Sequence, residues 1–381
     1  MTVKKYLFLT LLINIFGCEK SINDKSILKE IIEPPSSFTA TSSDYQTNPI
    51  KPNSIIMGYL IDGYLPTDDQ FKNMTHIGIS FLRAENVNGD ITMTSGWENI
   101  DEVIASAQKN NVKALISFGG GDYKVTSELM GVKANRKNLI KNIVNFMEKH
   151  NLDGFDCDWE PSWLDNKTEM KSVNNAITHH YIKFIRDLRI AIDNQFGKGK
   201  KSFSAAVMNG NSIWYSRREQ IAHFPQNGWW HYLDWVALMN YDNDLGSKHS
   251  TFESVYGPNG SVEYWSKFGV PLSKIVTGIP FYARAGWGEE WLFYKDIIKM
   301  NPELSFDIDY ISYEKNNSGE KTYGYNGRST VTKKIIENKN LKLPGTMFWQ
   351  LAGDMPITNE YSLLKAINSE MGLNSREKMA H

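Results

Sequence analysis

From Ile55 onward, short β-branched or apolar runs alternate with longer amphipathic stretches whose apolar residues recur every three or four positions. The first pattern predicts strands and the second predicts helices. Eight strands are expected: Ser54 to Tyr59, His76 to Phe81, Lys113 to Phe118, Gly154 to Glu160, Ser202 to Met208, Trp235 to Tyr241, Lys274 to Phe281 and Gly345 to Gln350. The clearest helices between them run from Ile100 to Lys109, Arg136 to Lys149, Ile177 to Phe196, Ser261 to Phe268, Thr330 to Lys339 and Tyr361 to Met371. Eight βα units predict an α/β fold, a (β/α)8 TIM barrel whose functional groups gather at the C-terminal ends of the strands. The segment Ala285 to Ser329 exceeds what one loop and helix require, so a small excursion is expected between strands seven and eight.

The pattern breaks before Ile55. Lys4 and Lys5 precede an apolar run from Tyr6 to Phe16 and then Gly17-Cys18, the order of a secretory signal. The run is too short to span a bilayer. Cys18 after Gly17 resembles the acylation site of bacterial lipoproteins, although Ile15 and Phe16 depart from its usual residues. The expected organisation is a signal segment at 1–18, a polar tether at 19–53, a catalytic barrel at 54–373 and a tail at 374–381. Export across the inner membrane with a lipid anchor on Cys18 in the cell envelope is expected, with plain secretion as the alternative.

Composition narrows the function. Lys+Arg number 42 and Asp+Glu 43, so the basic excess that a phosphate backbone attracts is absent and nucleic acid is not an expected partner. Aromatic residues make up 12% of the chain, enough flat faces for a core and for stacking on sugar C–H faces. If Cys18 is lipidated, Cys157 has no disulfide partner within the chain. No cofactor is expected: the glycine run 119–121 lacks the Lys and Ser/Thr of a phosphate loop. No metal is expected either, since His179-His180 has no companion at ligand spacing and reads as a solvent-facing pair.

The strongest local signal is Asp153-Gly154-Phe155-Asp156-Cys157-Asp158-Trp159-Glu160. On a strand, this spacing turns Asp156, Asp158 and Glu160 to one face and Phe155, Cys157 and Trp159 to the other. Like charges spaced at about 7 Å cannot all ionise easily in a partly desolvated site, so at least one pKa should rise, which suits a general acid. A metal site or a solvated acidic edge is the competing reading of the trio, and Asp153 reads equally well as an anchor for the Gly154 turn.

This strand resembles the signature of family 18 glycoside hydrolases, the chitinase family. Four further motifs follow in that family's order: Ser117-Phe118-Gly119-Gly120, Met239-Asn240-Tyr241-Asp242, Gly278-Ile279-Pro280-Phe281-Tyr282-Ala283-Arg284, and Gly345 with Phe348-Trp349. The resemblance covers roughly Ile55 to Met371. It implies a retaining glycosidase without an enzyme nucleophile, an exception to the usual two-carboxylate scheme. Glu160 would protonate the glycosidic oxygen while the substrate's 2-acetamido carbonyl attacks the anomeric carbon to form an oxazolinium ion. Asp158 would hold the acetamido N–H, and Asp156 would share a proton with Asp158. Tyr241 would orient the acetamido carbonyl, Asp242 would bind sugar hydroxyls and Trp349 would floor the site.

Met239, Tyr282, Arg284, Tyr59 and Phe81 would line the same cavity or serve as barrel packing. Ser117, Gly119 and Gly120 would shape the barrel beside the acids. Chitin, chitooligosaccharide or a related N-acetylglucosamine glycan is the implied substrate. An endo-β-N-acetylglucosaminidase acting on N-glycan cores and a non-catalytic, lectin-like barrel are the alternatives. Departures from the family at Gly121-Asp122-Tyr123 and Pro161-Ser162-Trp163, with a short excursion, point to an altered leaving-group wall and a shallower groove.

Overall fold

The structure, a computed structural model, describes residues 47, 50, 51, 53–121, 124–160, 170–210, 228–242, 249–286, 291–314 and 319–372, with only the backbone at 124, 127 and 170–179. The signal segment with Cys18, nearly all of the tether, the tail, Asp122-Tyr123 and Pro161-Ser162-Trp163 lie outside the described residues.

The barrel strands are β1 (Ile55–Leu60), β2 (His76–Ala84), β4 (Lys113–Gly120), β5 (Gly154–Trp159), β6 (Ser202–Met208), β7 (Trp235–Met239), β8 (Ile275–Pro280) and β13 (Gly345–Trp349). Each is parallel to its neighbours in the order β1-β13-β8-β7-β6-β5-β4-β2, and β1 pairs with β2 to close the ring. The expected eight-stranded barrel is therefore present, and β6 keeps its predicted bounds. β7 stops at Met239, two residues earlier than expected, and β5 stops at Trp159, so Glu160 and Tyr241 stand just beyond their strands. A short strand β3 (Ile91–Met93), antiparallel to β2, was not expected because three residues carry too little alternation to read.

Alternation along each strand divides the core in two. Ile56, Leu60, Phe155, Cys157 and Trp159 face the helices, whereas Ile55, Met57, Tyr59, Leu115, Trp235, Met239 and Met347 fill the barrel interior. The buried Cys157 is a small packing residue, and burial pushes its thiol pKa up.

The helix Ile100–Lys109 has its expected bounds, while those ending at Lys149 and Phe196 begin earlier, at Lys133 and Met170. The short helix Asp68–Phe71 was not predicted; a capping box between Thr67 and Gln70 sets it rather than any apolar period. His180 corrects the solvent-facing reading: it is 9% exposed, on a helix face shared with buried Tyr181 and Phe184 and close to Gly131. The side chain of His179 lies outside the described atoms.

The excursion also forms. It holds an antiparallel ribbon of β9 (Tyr282–Ala283) and β10 (Leu292–Phe293), the helix Tyr294–Met300, and a hairpin of β11 (Tyr310–Glu314) and β12 (Glu320–Gly324). Backbone hydrogen bonds of 3.0 and 3.1 Å between Arg284 and Gly324 tie the hairpin to the ribbon. No described helix is long and apolar enough to cross a membrane.

Candidate active site

The acids of β5 enter the barrel interior because Phe155, Cys157 and Trp159 claim the helix-facing side. Asp156 is the deepest and fully buried, Asp158 is 5% exposed, and Glu160 is only partly buried at the mouth. In the parallel register Asp156 pairs with Ser117 of β4 on one side and Ser204 of β6 on the other. Their hydroxyls donate to Asp156 at 2.9 and 2.6 Å, and Tyr59 reaches across the barrel to donate at 2.9 Å. Burial raises the Asp156 pKa, and these three hydroxyls act against the rise.

The three hydroxyls come from strands other than β5, and Asp156 lies close enough to Asp158 for its charge to bear on it. Asp158 Oδ1 is buried and accepts no hydrogen bond. Burial first, then the charges of Glu160 and Asp156, hold the Asp158 pKa well above the usual carboxylate range. Burial and the nearby Asp242 push Glu160 up to about 7, which keeps its proton available near neutrality. Gly119 permits the close approach of β4 to this strand: its φ is +120°, and a Cβ there would stand 2.5 Å from the Asp158 carbonyl oxygen. At Gly120 a Cβ would meet the Phe81 ring at 2.9 Å, so both glycines shape the wall beside the acids.

Opposite the acids, Trp349 is half-buried, stacked on Phe81 at 5.6 Å and tilted against Tyr59 at 5.7 Å between ring centroids. Met239 is 9% exposed and belongs to the interior core, against which Tyr241 and Trp349 pack. The Tyr241 hydroxyl contacts Met347 Sδ at 4.0 Å. Burial and the charges of Asp158, Glu160, Asp242 and Asp156 raise its pKa, so it remains a neutral donor.

Asp242 adopts a left-handed φ of 56°. Tyr282 donates to its Oδ2 at 2.9 Å, and Arg284 Nε lies 3.4 Å from Oδ1. Burial raises the Asp242 pKa, opposed by the Arg284 charge and the Tyr282 hydroxyl. The carboxyls of Asp156, Asp158, Glu160 and Asp242 thus share one end of the barrel with Tyr241 and Trp349. Asp153 stands apart: its Oδ2 accepts the Ala114 N–H at 2.9 Å and the Gln108 amide at 3.2 Å, a structural anchor at the strand entrance.

Several supporting residues carried no readable signal. His249 takes the Asp242 backbone N–H on Nδ1 at 3.2 Å, and burial, with the charges of Arg284 and Lys334, lowers its pKa to about 3. It is therefore a neutral imidazole with its proton on Nε2, fixing the loop that presents Asp242. The buried Lys334 donates to the Ser250 carbonyl at 2.7 Å, to the Ser250 hydroxyl at 2.9 Å and to Asn326 at 2.8 Å. Ser250 in turn donates to the Asn240 carbonyl. Ser204 is the remaining addition; it is recognisable only once β5 and β6 are in register. Among the described residues no group of three His, Cys, Asp or Glu side chains is arranged to hold a metal ion.

Residues 43–354 match the family described as glycosyl hydrolases family 18. A class V chitinase of Medicago truncatula is 24% identical over 81% of this chain and 88% of its own length. Among solved structures, a chitinase from Bacteroides thetaiotaomicron superposes with a TM-score of 0.66 at 25% identity, covering 84% of this chain and 98% of that one. A plant class V chitinase from Cycas revoluta, in complex with (GlcNAc)3, shares the fold with a TM-score of 0.68 at 20% identity, over 83% and 99% of the two chains. Five motifs on five strands of one closed barrel, and a match over most of the sequence, have one reading: this chain belongs to glycosyl hydrolase family 18 and is chitinase-like.

Proposed function

We propose that the protein hydrolyses β-1,4-linked N-acetylglucosamine chains with retention of configuration, using the substrate's acetamido group as nucleophile. The observation that carries this reading is the pairing of a carboxyl poised near neutral pH, Glu160, with the unpartnered buried oxygen of Asp158. Glu160 gives its proton to the glycosidic oxygen as that bond breaks. The acetamido carbonyl oxygen then bonds to the anomeric carbon, and its N–H donates to Asp158. Positive charge grows on the resulting oxazolinium ring as Asp158 passes its proton to neighbouring Asp156, and the Asp158 carboxylate so formed faces that charge, an interaction stronger in the transition state than in the ground state; the proton returns when the ring opens. Tyr241 donates to the acetamido oxygen and orients it. Water next attacks the anomeric carbon, Glu160 takes the water's proton, and the ring opens to restore the acetamide.

Asp156 keeps the pocket's base rigid through its three hydroxyl donors. Trp349 provides the flat floor under the sugar, and Asp242 takes sugar hydroxyls. The relatives described as chitinases, one of them bound to (GlcNAc)3, support the substrate class.

The test is product analysis on an N-acetylglucosamine hexamer beside an N-glycoprotein. Shorter oligomers whose newly formed end is initially the β-anomer are expected, together with a loss of at least about a hundredfold in Glu160→Gln. Initial α-anomer product, or full activity of that variant, would refute the mechanism. Release of glycan from the glycoprotein alone assigns an endo-β-N-acetylglucosaminidase, and binding without cleavage assigns a lectin.

We also propose export with acyl chains on Cys18 in the cell envelope, on the order of charged, apolar and small residues before it. Mass spectrometry of the mature N-terminus from a membrane fraction should find lipid on Cys18, and an unmodified soluble product would refute the anchor.

A further inference from the structure

The excursion carries an aromatic residue that none of the proposed catalytic steps uses. Trp291 is 40% exposed, among the larger apolar side chains left open to solvent. It directly precedes β10, whose register pairs Phe293 with Tyr282 and Leu292 with Ala283. One step further along this ribbon, Trp291 comes opposite Arg284. Side chains alternate on a ribbon, so Trp291, Phe293, Tyr282 and Arg284 share one face, while Ala283 and the 8% exposed Leu292 occupy the other.

Ring contacts agree with this placement. The Trp291 indole meets the Tyr282 ring edge-on at 6.0 Å and the Phe293 ring edge-on at 4.7 Å. Tyr282 meets Tyr241 edge-on at 6.0 Å in turn, and its hydroxyl bonds Asp242 at 2.9 Å. A continuous row of rings therefore leads from Tyr241 beside the acids, through Tyr282, to Trp291 at the rim. Tyr282 and Phe293 brace the indole through edge contacts, which fix its attitude and leave ring surface open.

The exposed indole offers a flat apolar face to solvent at the end of this ring row, where a ligand's apolar surface gains by covering it. A pyranose has an apolar C–H face of matching size, and its neighbouring hydroxyls suit charged partners such as Arg284, which is 18% exposed beside Asp242. We propose that Trp291 is a sugar-stacking platform that engages a pyranose of the substrate chain outside the cleavage subsite, with Arg284 addressing the hydroxyls between them. The inference rests on the glycan-hydrolase reading above and extends it from the reacting sugar to chain-length preference. Its occupant is a further unit of the same glycan, because the ring row is continuous with the candidate site.

The test compares Trp291→Ala, Trp291→Phe and the unaltered protein on an aryl chitobioside and on an N-acetylglucosamine hexamer. Trp291→Ala should lower the ratio of kcat/KM for the hexamer to that for the short substrate by about five- to tenfold, mainly through KM on the hexamer. Trp291→Phe, which keeps a flat face, should recover most of the ratio. An unchanged ratio in Trp291→Ala, whether both substrates slow equally or neither slows, would overturn the platform and leave the chitinase reading intact. Failure of the unaltered protein to cleave either substrate would instead refute the underlying function, and with it this inference.

Discussion

Tyr282 donates its hydroxyl hydrogen to Asp242 at 2.9 Å, joining the loop after β7 to the ribbon after β8. That contact holds an acid where its charge bears on Glu160, whose pKa stands at about 7 partly because Asp242 is near. If Glu160 acts as the protonated acid, kcat/KM falls as pH rises through about 7. Asp242→Asn removes the charge that opposes ionisation of Glu160, so this basic limb should move to lower pH. A pH profile of kcat/KM on an oligomer checks it, and a limb that stays in place would mean that burial alone sets the Glu160 proton.

The same shift has a consequence for stability. Glu160 ionises near 4.5 in the unfolded chain but only near 7 in the folded one. Below the first value both states are protonated and nothing is lost; between the two values only the unfolded chain ionises, so the folded state loses stability until the loss is complete above the second. Glu160→Gln should therefore unfold at higher urea concentration than the unaltered protein at pH 8, by up to about 3 kcal/mol. At pH 4 that difference should vanish.

Ser204 donates the shortest of the three hydroxyl bonds to Asp156, at 2.6 Å. Ser204→Ala leaves that buried oxygen short of a donor and should cost about 1 to 3 kcal/mol in urea unfolding. Turnover should fall as well, because Asp156 loses one of the contacts that orient it beneath Asp158.

Lys334→Met tests the support behind the Asp242 loop. It strips the Ser250 carbonyl and the Asn326 side-chain oxygen of a buried donor. The expected loss is about 1 to 3 kcal/mol of stability. Activity per folded molecule should drop too, read at a temperature well below unfolding, since Ser250 and His249 are the neighbours that hold Asn240 and Asp242 in place.

Much of the candidate site was legible because it lies on single strands. Alternation in Phe155 to Glu160 was enough to place two acids inside the barrel, a third at its mouth and Cys157 outside. Trp349 and Tyr241 were placed by their motifs, through the family resemblance that those motifs carry. His180 was misread because a helical residue's exposure depends on what packs against that turn, here near Gly131, and not on its own polarity. The hydroxyl donors of Asp156 went unread for a related reason. Neighbours along one strand were visible, whereas Ser117, Ser204 and Tyr59 come from three others.

The order of residues along this chain determined the eight-strand count, the inward row of carboxyls and the family, since each follows from local periodicity or a contiguous motif. Only the folded barrel decided which hydroxyls fill Asp156, which imidazole and ammonium brace the Asp242 loop, and where the rings of the excursion meet the site. Those contacts join residues 7 to 97 positions apart, so they depend on register and closure, and side-chain chemistry read in sequence order does not contain that distance information.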